Sequence, residues 1–309
     1  MRYISLIRSK SKNAFTMMEL IFVIVIVGLL ATFGVEFMMQ AYKNYIFSAI
    51  NNRLQNESAT TVEFISKRLS HRIKDSVMAR DLTTGTNANN FVSIQNVTDA
   101  GAGGNYTVLE WIGVDIDGWR GASLPYWSGI IDLEADIGQN LLMTSPETNT
   151  TAMNDLIISL SDGNSTIADS AIYFIGSNSD INTSYGWTGT QNLNTQTGAM
   201  HPITTDANIT HLVASGNNLN GVDVYEYYKH AWTAYAIVHS ADGNLTLHYN
   251  YQPWAGETYD TANVQTQLIM QNVATFQYRA IGSLIKIQVC VESELTGEEY
   301  AICKEKTIY

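Results

Sequence analysis

The residues of this chain that could do chemistry are few, and they are scattered. Six histidines stand at 71, 201, 211, 230, 239 and 248, and none sits in a close pair with the spacing of a metal-ligand set. His230, His239 and His248 are nine apart, a spacing that strand positions produce without a site. There is no Gly-x-Ser-x-Gly elbow, no phosphate-binding Gly loop and no His-Glu-x-x-His. Asp115-Ile116-Asp117-Gly118 opens as a calcium loop does, with hard oxygen ligands two apart and a Gly to turn the chain. Pro125 and Tyr126 stand where such a loop needs its closing Glu, so a plain Asp-Gly turn is the expectation. No catalytic residue, metal or cofactor is expected.

Two other patterns could carry binding or modification. Tyr225, Tyr227, Tyr228, Trp232, Tyr235, Tyr249, Tyr251 and Trp254 form a dense aromatic group, suited to stacking on sugars or a partner, or to filling a core. Asn-x-Ser/Thr occurs at Asn56, Asn96, Asn105, Asn149, Asn164, Asn182, Asn208 and Asn244. At five of them an acid stands two residues earlier: Glu147, Asp162, Asp180, Asp206 and Asp242. That longer pattern resembles the acceptor of some bacterial oligosaccharyltransferases. Turns, which favour Asp and Asn, give the same pattern.

The elements that must position these groups begin with a membrane-length run. Phe15–Val35 is 21 residues with one charge, Glu19, and reads as a helix about 30 Å long, enough to cross a bilayer core. Arg2, Arg8, Lys10 and Lys12 precede it with no acid, which keeps the short leader in the cytoplasm. An ionised acid inside such a segment costs on the order of 3 kcal/mol to insert. Glu19 therefore needs a partner or a purpose.

Ala14-Phe15-Thr16-Met17-Met18-Glu19 followed by an apolar run resembles the cleavage and methylation signal of type IV pilins and type II secretion pseudopilins. The resemblance implies that a prepilin peptidase cuts between Ala14 and Phe15 and methylates the new amine. It also implies that Glu19 pairs in the filament with a neighbour's terminal amine, that of Phe15. The chain departs from the family in two places. Ala14 stands where Gly is usual, and Gly28, Gly34 and Glu36 stand where many members have a midpoint Pro. The motif covers about residues 8–40. An ordinary signal anchor is the alternative.

Ile46, Ile50, Leu54, Val62, Ile65, Leu69, Ile73 and Val77 recur at three or four residues with one gap, so residues 37–79 read as the amphipathic half of one long helix. From Asp81 onward, short β-branched and aromatic runs alternate with Thr-, Asn-, Gly- and Ser-rich connections. Strands are expected at Phe91–Val97, Tyr106–Val114, Leu156–Ser161, Ala171–Ile175, Val222–Tyr228, Ala231–His239, Leu245–Tyr251, Thr275–Ala280, Ile285–Glu292 and Tyr300–Ile308. A short helix is expected at Gln265–Val273. The fold class is α+β, a mainly antiparallel sheet head (residues 80–309) on a long helix.

Near the carboxyl end the register can be argued. Ile285, Ile287, Val289 and Val291 alternate with polar residues, giving a strand with one apolar face. A hairpin turning at Thr296-Gly297 sets Cys290 opposite Cys303 in a non-hydrogen-bonded pair, within disulfide reach. Two buried free thiols are the alternative. The segment from Leu268 through Asn272-Val273, Phe276 and Tyr278 to this hairpin also resembles the sheet end of pseudopilin and minor pilin heads.

The formal net charge is −12, and loss of residues 1–14, with four basic and no acidic side chains, makes it −16. Phosphate-backbone binding is not the default for such a surface. The reading is a non-enzymatic minor pilin or pseudopilin, in the inner membrane with a periplasmic head and then in a filament or at the cell surface. The resemblance implies other such subunits, the prepilin peptidase, an assembly platform and membrane lipid as partners. The alternative is a membrane-anchored module that binds a surface or glycan.

Overall fold

The computed structural model describes residues 16–81, 90–97, 106–136, 141–177, 179–189, 198–215, 219, 221–293 and 301–309. The expected leader, residues 1–14 with Ala14 at its end, and Phe15 after it lie outside the described residues, as does Thr296-Gly297. The elements are α1 (Met17–Ser70), β1 (Met78–Asp81), β2 (Phe91–Ser93), β3 (Tyr106–Ile112), a short α2 (Ile116–Arg120), β4 (Leu142–Thr144) and α3 (Thr150–Leu160). They continue with β5 (Ala171–Phe174), β6 (Met200–Thr204), β7 (His211–Ala214), β8 (Tyr228–Ala231), β9 (Ala234–His239) and β10 (Leu245–Tyr249). The last four strands are β11 (Gln265–Met270), β12 (Val273–Ile281), β13 (Leu284–Glu292) and β14 (Ala301–Ile308). The chain is thus α+β with antiparallel sheets.

The chain divides between Arg53 and Leu54. In the first unit, α1 is exposed at every residue from Met17 to Tyr45, and it is long and apolar enough to cross a membrane. In the second unit, α1 buries a stripe of Leu54, Ser58, Thr61, Val62, Ile65, Ser66 and Leu69, the 3–4 spacing of a helix with one covered face.

Among the described residues three sheets build the head. One has the order β11-β10-β9-β3-β1-β2, one β4-β7-β6-β5-β8, and the third is the meander β12-β13-β14. In the five-stranded sheet β5 is buried on both faces. Ala171 and Tyr173 join a core with Val108, Ile112 and Ala236 of the six-stranded sheet. Ile172 and Phe174, pointing the other way, join Met153 and Ile157 of α3.

Several expected elements differ. The helix ends at Ser70, short of residue 79, because the chain beyond it pairs with the end of β3. Ile73 N donates to Ile112 O at 2.9 Å, and Arg72 bridges Gly113. Leu156–Ser161 belongs to a helix, α3, whose start is fixed by Asn149 Oδ1 accepting from Ala152 N at 3.0 Å. Gln265–Val273 is largely a strand, since β10 has an open edge and β11 pairs along it from Tyr249 to Leu245; that pairing overrides local preference. In Val222–Tyr228 only the last residue is in a strand, because the chain bonds instead to the loop at 129–131. Strands β1, β4, β6 and β7 fall outside every expected run.

The hairpin register holds. Cys290 lies opposite Cys303, their Cα atoms are 4.0 Å apart, and their sulfurs are bonded. Reduction should lower the head's unfolding free energy by roughly 3 kcal/mol, the typical worth of a loop of this size. Denaturant melts with and without reductant measure it, and unchanged midpoints would remove the bond from the stability of the head.

Candidate functional sites in the helix and the head

In the first unit the candidate site is the start of α1. Thr16 N and Thr16 Oγ1 donate to Glu19 Oε2 at 3.4 and 3.3 Å, and Glu19 N donates to Thr16 Oγ1 at 3.4 Å. That is a reciprocal capping box, a Thr with a Glu three residues on. The signal stands in the sequence as Thr-x-x-Glu before an apolar run, and the reading of Glu19 as an intermolecular partner passed it over. Beyond Glu19, no charge interrupts the helix from Leu20 to Val35, and every residue in that stretch is exposed. A Cβ added at Gly28 or Gly34 meets nothing within 4 Å. Each Gly costs a helix about 1 kcal/mol relative to Ala, and no packing among the described residues accounts for either.

In the second unit an apolar cleft of about 460 Å³ opens on the surface. Its walls include Trp119, Trp127, Ile130, Ile175, Tyr227 and Lys229, with His71 and Arg72 at one side. Trp119 and Trp127 pack ring to ring at 4.7 Å. Trp119, Ile130, Ile175 and Tyr227 are 41–52 % exposed, so the lining is apolar surface in contact with water. The cationic side is partly desolvated. Burial lowers the Lys229 ammonium from its ordinary range, and nearby Lys74 and Arg72 push the same way. Burial, then Arg120, lowers His71.

Asp115 is placed by the head as a structural acid. Its Oδ1 accepts from Gly118 N at 2.9 Å, capping α2, and its Oδ2 meets His230 Nδ1 at 3.0 Å. Both oxygens are committed and the residue is buried, so the calcium-like sequence is a helix cap. An Asp–His contact of this kind orients a general base in hydrolases. Here His230 Nε2 is buried with no hydrogen-bond partner, so no hydroxyl is bonded to it for activation. Among the described residues no group of three His, Cys, Asp or Glu could hold a metal.

The aromatic group divides. Tyr228, Trp232, Tyr251 and Trp254 are buried, each in one of the two cores, and so are not stacking surfaces. Tyr227 alone among them lines the cleft while more than half exposed. The tryptophans that form the cleft, Trp119 and Trp127, were outside the sequence group, since α2 and the loop after it bring them together.

Asp115→Ala removes a cap and strands the His230 ring, and should cost about 1–3 kcal/mol. Asp115→Asn keeps an acceptor for Gly118 and should cost less, and millimolar calcium should leave the unfolding midpoint of all three proteins unchanged. A calcium-dependent midpoint lost in Asp115→Asn would restore the metal reading. No family model matches the chain, and no curated protein or solved structure matches it.

Proposed function

We propose that this chain is a minor pilin or pseudopilin, a non-enzymatic subunit of a type IV pilus or type II secretion filament. On this reading it is inserted in the inner membrane with its head outside the cytoplasm. A prepilin peptidase cuts between Ala14 and Phe15, and the subunit assembles by packing α1 against α1 of its neighbours. The observation that carries the reading is the exposed, uncharged helix from Leu20 to Val35 with a single carboxylate at its start. Such a surface demands an apolar surrounding, first lipid and then other helices. The bare Gly28 and Gly34 positions suit close approach of helix backbones. A disulfide in the head suits an oxidising compartment. A second reading, a membrane-anchored module that binds a surface or glycan, draws on the apolar cleft between Trp119 and Tyr227.

Glu19 gives the mechanism its test. Cleavage frees the Phe15 amine, and in a staggered assembly a neighbour's amine reaches the level of Glu19. An unpaired carboxylate there costs about 3 kcal/mol in hydrocarbon, so the pair rewards correct register. The capping box separates this role from a local one, because Gln serves at the same capping position as Glu. Intact mass should give a chain beginning at Phe15. Glu19→Gln and Glu19→Ala should both insert and be cleaved, and both should be depleted from sheared filaments. Glu19→Gln at the wild-type level in filaments would reduce Glu19 to a cap, and a mature chain beginning at Met1 would defeat the pilin reading.

A further inference from the structure

Eight sequons cannot all be equal, and the fold ranks six of them, Asn105 and the Thr98 of the Asn96 sequon lying outside the described residues. A transferase must seat the acid, the Asn and the hydroxyl residue together with the residues between them, so none of the five can be part of a core. In residues 147–151, Thr148 and Thr150 are buried, and Asn149 is already spent as the cap of α3. In 162–166 Ser165 is buried with its hydroxyl on Asn250 Oδ1 at 2.6 Å. In 180–184 the hydroxyl residue itself, Ser184, is fully buried. In 242–246 Leu245 is fully buried in β10. Asn56 lies within α1 with Ser58 buried two residues on.

Residues 206–210, between β6 and β7, are different. Asp206, Ala207, Asn208 and Ile209 are exposed and Thr210 is half-buried. The side chains are also arranged around the amide. Asn208 Oδ1 accepts from Thr210 N at 3.1 Å and from Thr210 Oγ1 at 3.0 Å. Asp206 Oδ1 accepts from Asn208 N at 2.7 Å. Asn208 Nδ2 meets His211 Nε2 at 2.9 Å, and His211 Nδ1 meets Asp206 Oδ2 at 2.8 Å. Hydroxyl donation to Oδ1 draws electron density from the amide, and the imidazole Nε2 stands where it can accept an Nδ2 proton.

We infer that Asn208 is an acceptor for an N-linked glycan, transferred outside the cytoplasm from a polyprenyl-diphosphate-linked oligosaccharide by an oligosaccharyltransferase that reads an acid two residues before the Asn. Nδ2 attacks C1 of the sugar and an N–C bond forms. The bond from C1 to the diphosphate oxygen breaks, polyprenyl diphosphate leaves, and Nδ2 gives up one proton. Nothing is oxidised or reduced. The Asp206–His211 contact must open for the transferase to hold the carboxylate, and an exposed pair of this kind, screened by water, gives way readily.

The inference rests on the exported head of the proposed function, and the Cys290–Cys303 bond reports export in the same sample. The test is the full chain produced in a bacterium carrying such a transferase, its lipid-linked oligosaccharide and a control acceptor protein, followed by non-reducing peptide mapping. The expected result is a disulfide-linked chain with the glycan mass on the Asn208 peptide, lost in Asn208→Gln and largely lost in Asp206→Ala. A disulfide-linked chain with Asn208 bare beside a modified control overturns the acceptor while leaving the exported topology standing. Free thiols with no glycan overturn the topology and the acceptor together. Glycan on Asn149, Asn164 or Asn182 with Asn208 bare overturns the ranking by burial.

Discussion

The head depends on one seam, the buried stripe of α1 from Leu54 to Leu69. Val62, Ile65 and Leu69 are at most 4 % exposed, and each such side chain contributes about 1.5–3 kcal/mol by leaving water. On the same face stand Ser58, Thr61 and Ser66, also buried. Their small volume lets the helix sit close, and their hydroxyls do not go unsatisfied. Ser58 and Ser66 donate back to Gln55 O and Glu63 O, and Thr61 Oγ1 reaches Met270 Sδ at 3.4 Å on β11. Charge lies at the margins of the stripe: Glu63 pairs with Lys306 on β14, and Arg68 lies 5.2 Å from the Tyr235 ring on β9. One helical face therefore reaches β9, β11 and β14, strands from two different sheets.

A second constraint sets the register inside the six-stranded sheet. Arg80 Nε on β1 meets Glu110 Oε1 on β3 at 2.7 Å, and Tyr251 OH donates to Glu110 Oε2 at 3.0 Å. All three are buried. Burial raises the Glu110 carboxyl above its usual range even with the Arg80 charge beside it. Two flanking rings, Phe91 and Tyr259, each lie 5.8 Å from the guanidinium. A buried pair of this kind adds little net stability, but losing either partner leaves a charge stranded in the core. A one-residue slip of β1 would turn Arg80 to the opposite face of the sheet, away from Glu110. The network thus penalises wrong pairings more than it favours the right one.

What could be read from the sequence follows from how local each signal is. Period-two alternation in Ile285–Val291, with Cys303 placed by a short turn, was enough to pair Cys290 correctly, because a hairpin's register is a local property. Ile73 and Val77 continue the helical spacing of α1, yet they belong to the turn and strand entry beyond it. Their burial, that of Ile73 in a core shared with Val108 and Ile112 of β3, is a tertiary fact that periodicity does not contain. β11 and α3 failed in opposite directions for related reasons: one was recruited by an open strand edge, the other declared by a cap at Asn149 that the apolar run alone hides. The cleft was the least legible feature. Trp119, Ile175 and Tyr227 are far apart in sequence: the bond from Ile175 N to Tyr227 O at 2.8 Å and the bridge between Ile130 and Tyr227 join two of them to the loop at 129–131, and the Trp119–Trp127 ring contact brings the third.

Magnitudes decide how the carboxylate of Glu19 should be understood. As the third residue of a capping box it satisfies donors at the start of α1, and an acid there also opposes the positive end of the helix dipole. Capping of this kind is worth about 1 kcal/mol, and its bonds here are long, at 3.3–3.4 Å from neutral donors. Placing an ionised acid in hydrocarbon costs about 3 kcal/mol. The cap does not cover that cost, so a Glu19 that stays ionised at membrane depth leaves roughly 2 kcal/mol to be offset from outside the segment. Two places offer such relief: the lipid headgroup region, if the helix start lies shallow, and a cation from another chain, if it lies deep. Only the second ties the carboxylate to assembly. The local geometry therefore leaves room for the proposed intermolecular role: the cap fixes where α1 begins, and a charge the cap does not cover would favour a partner at that same level.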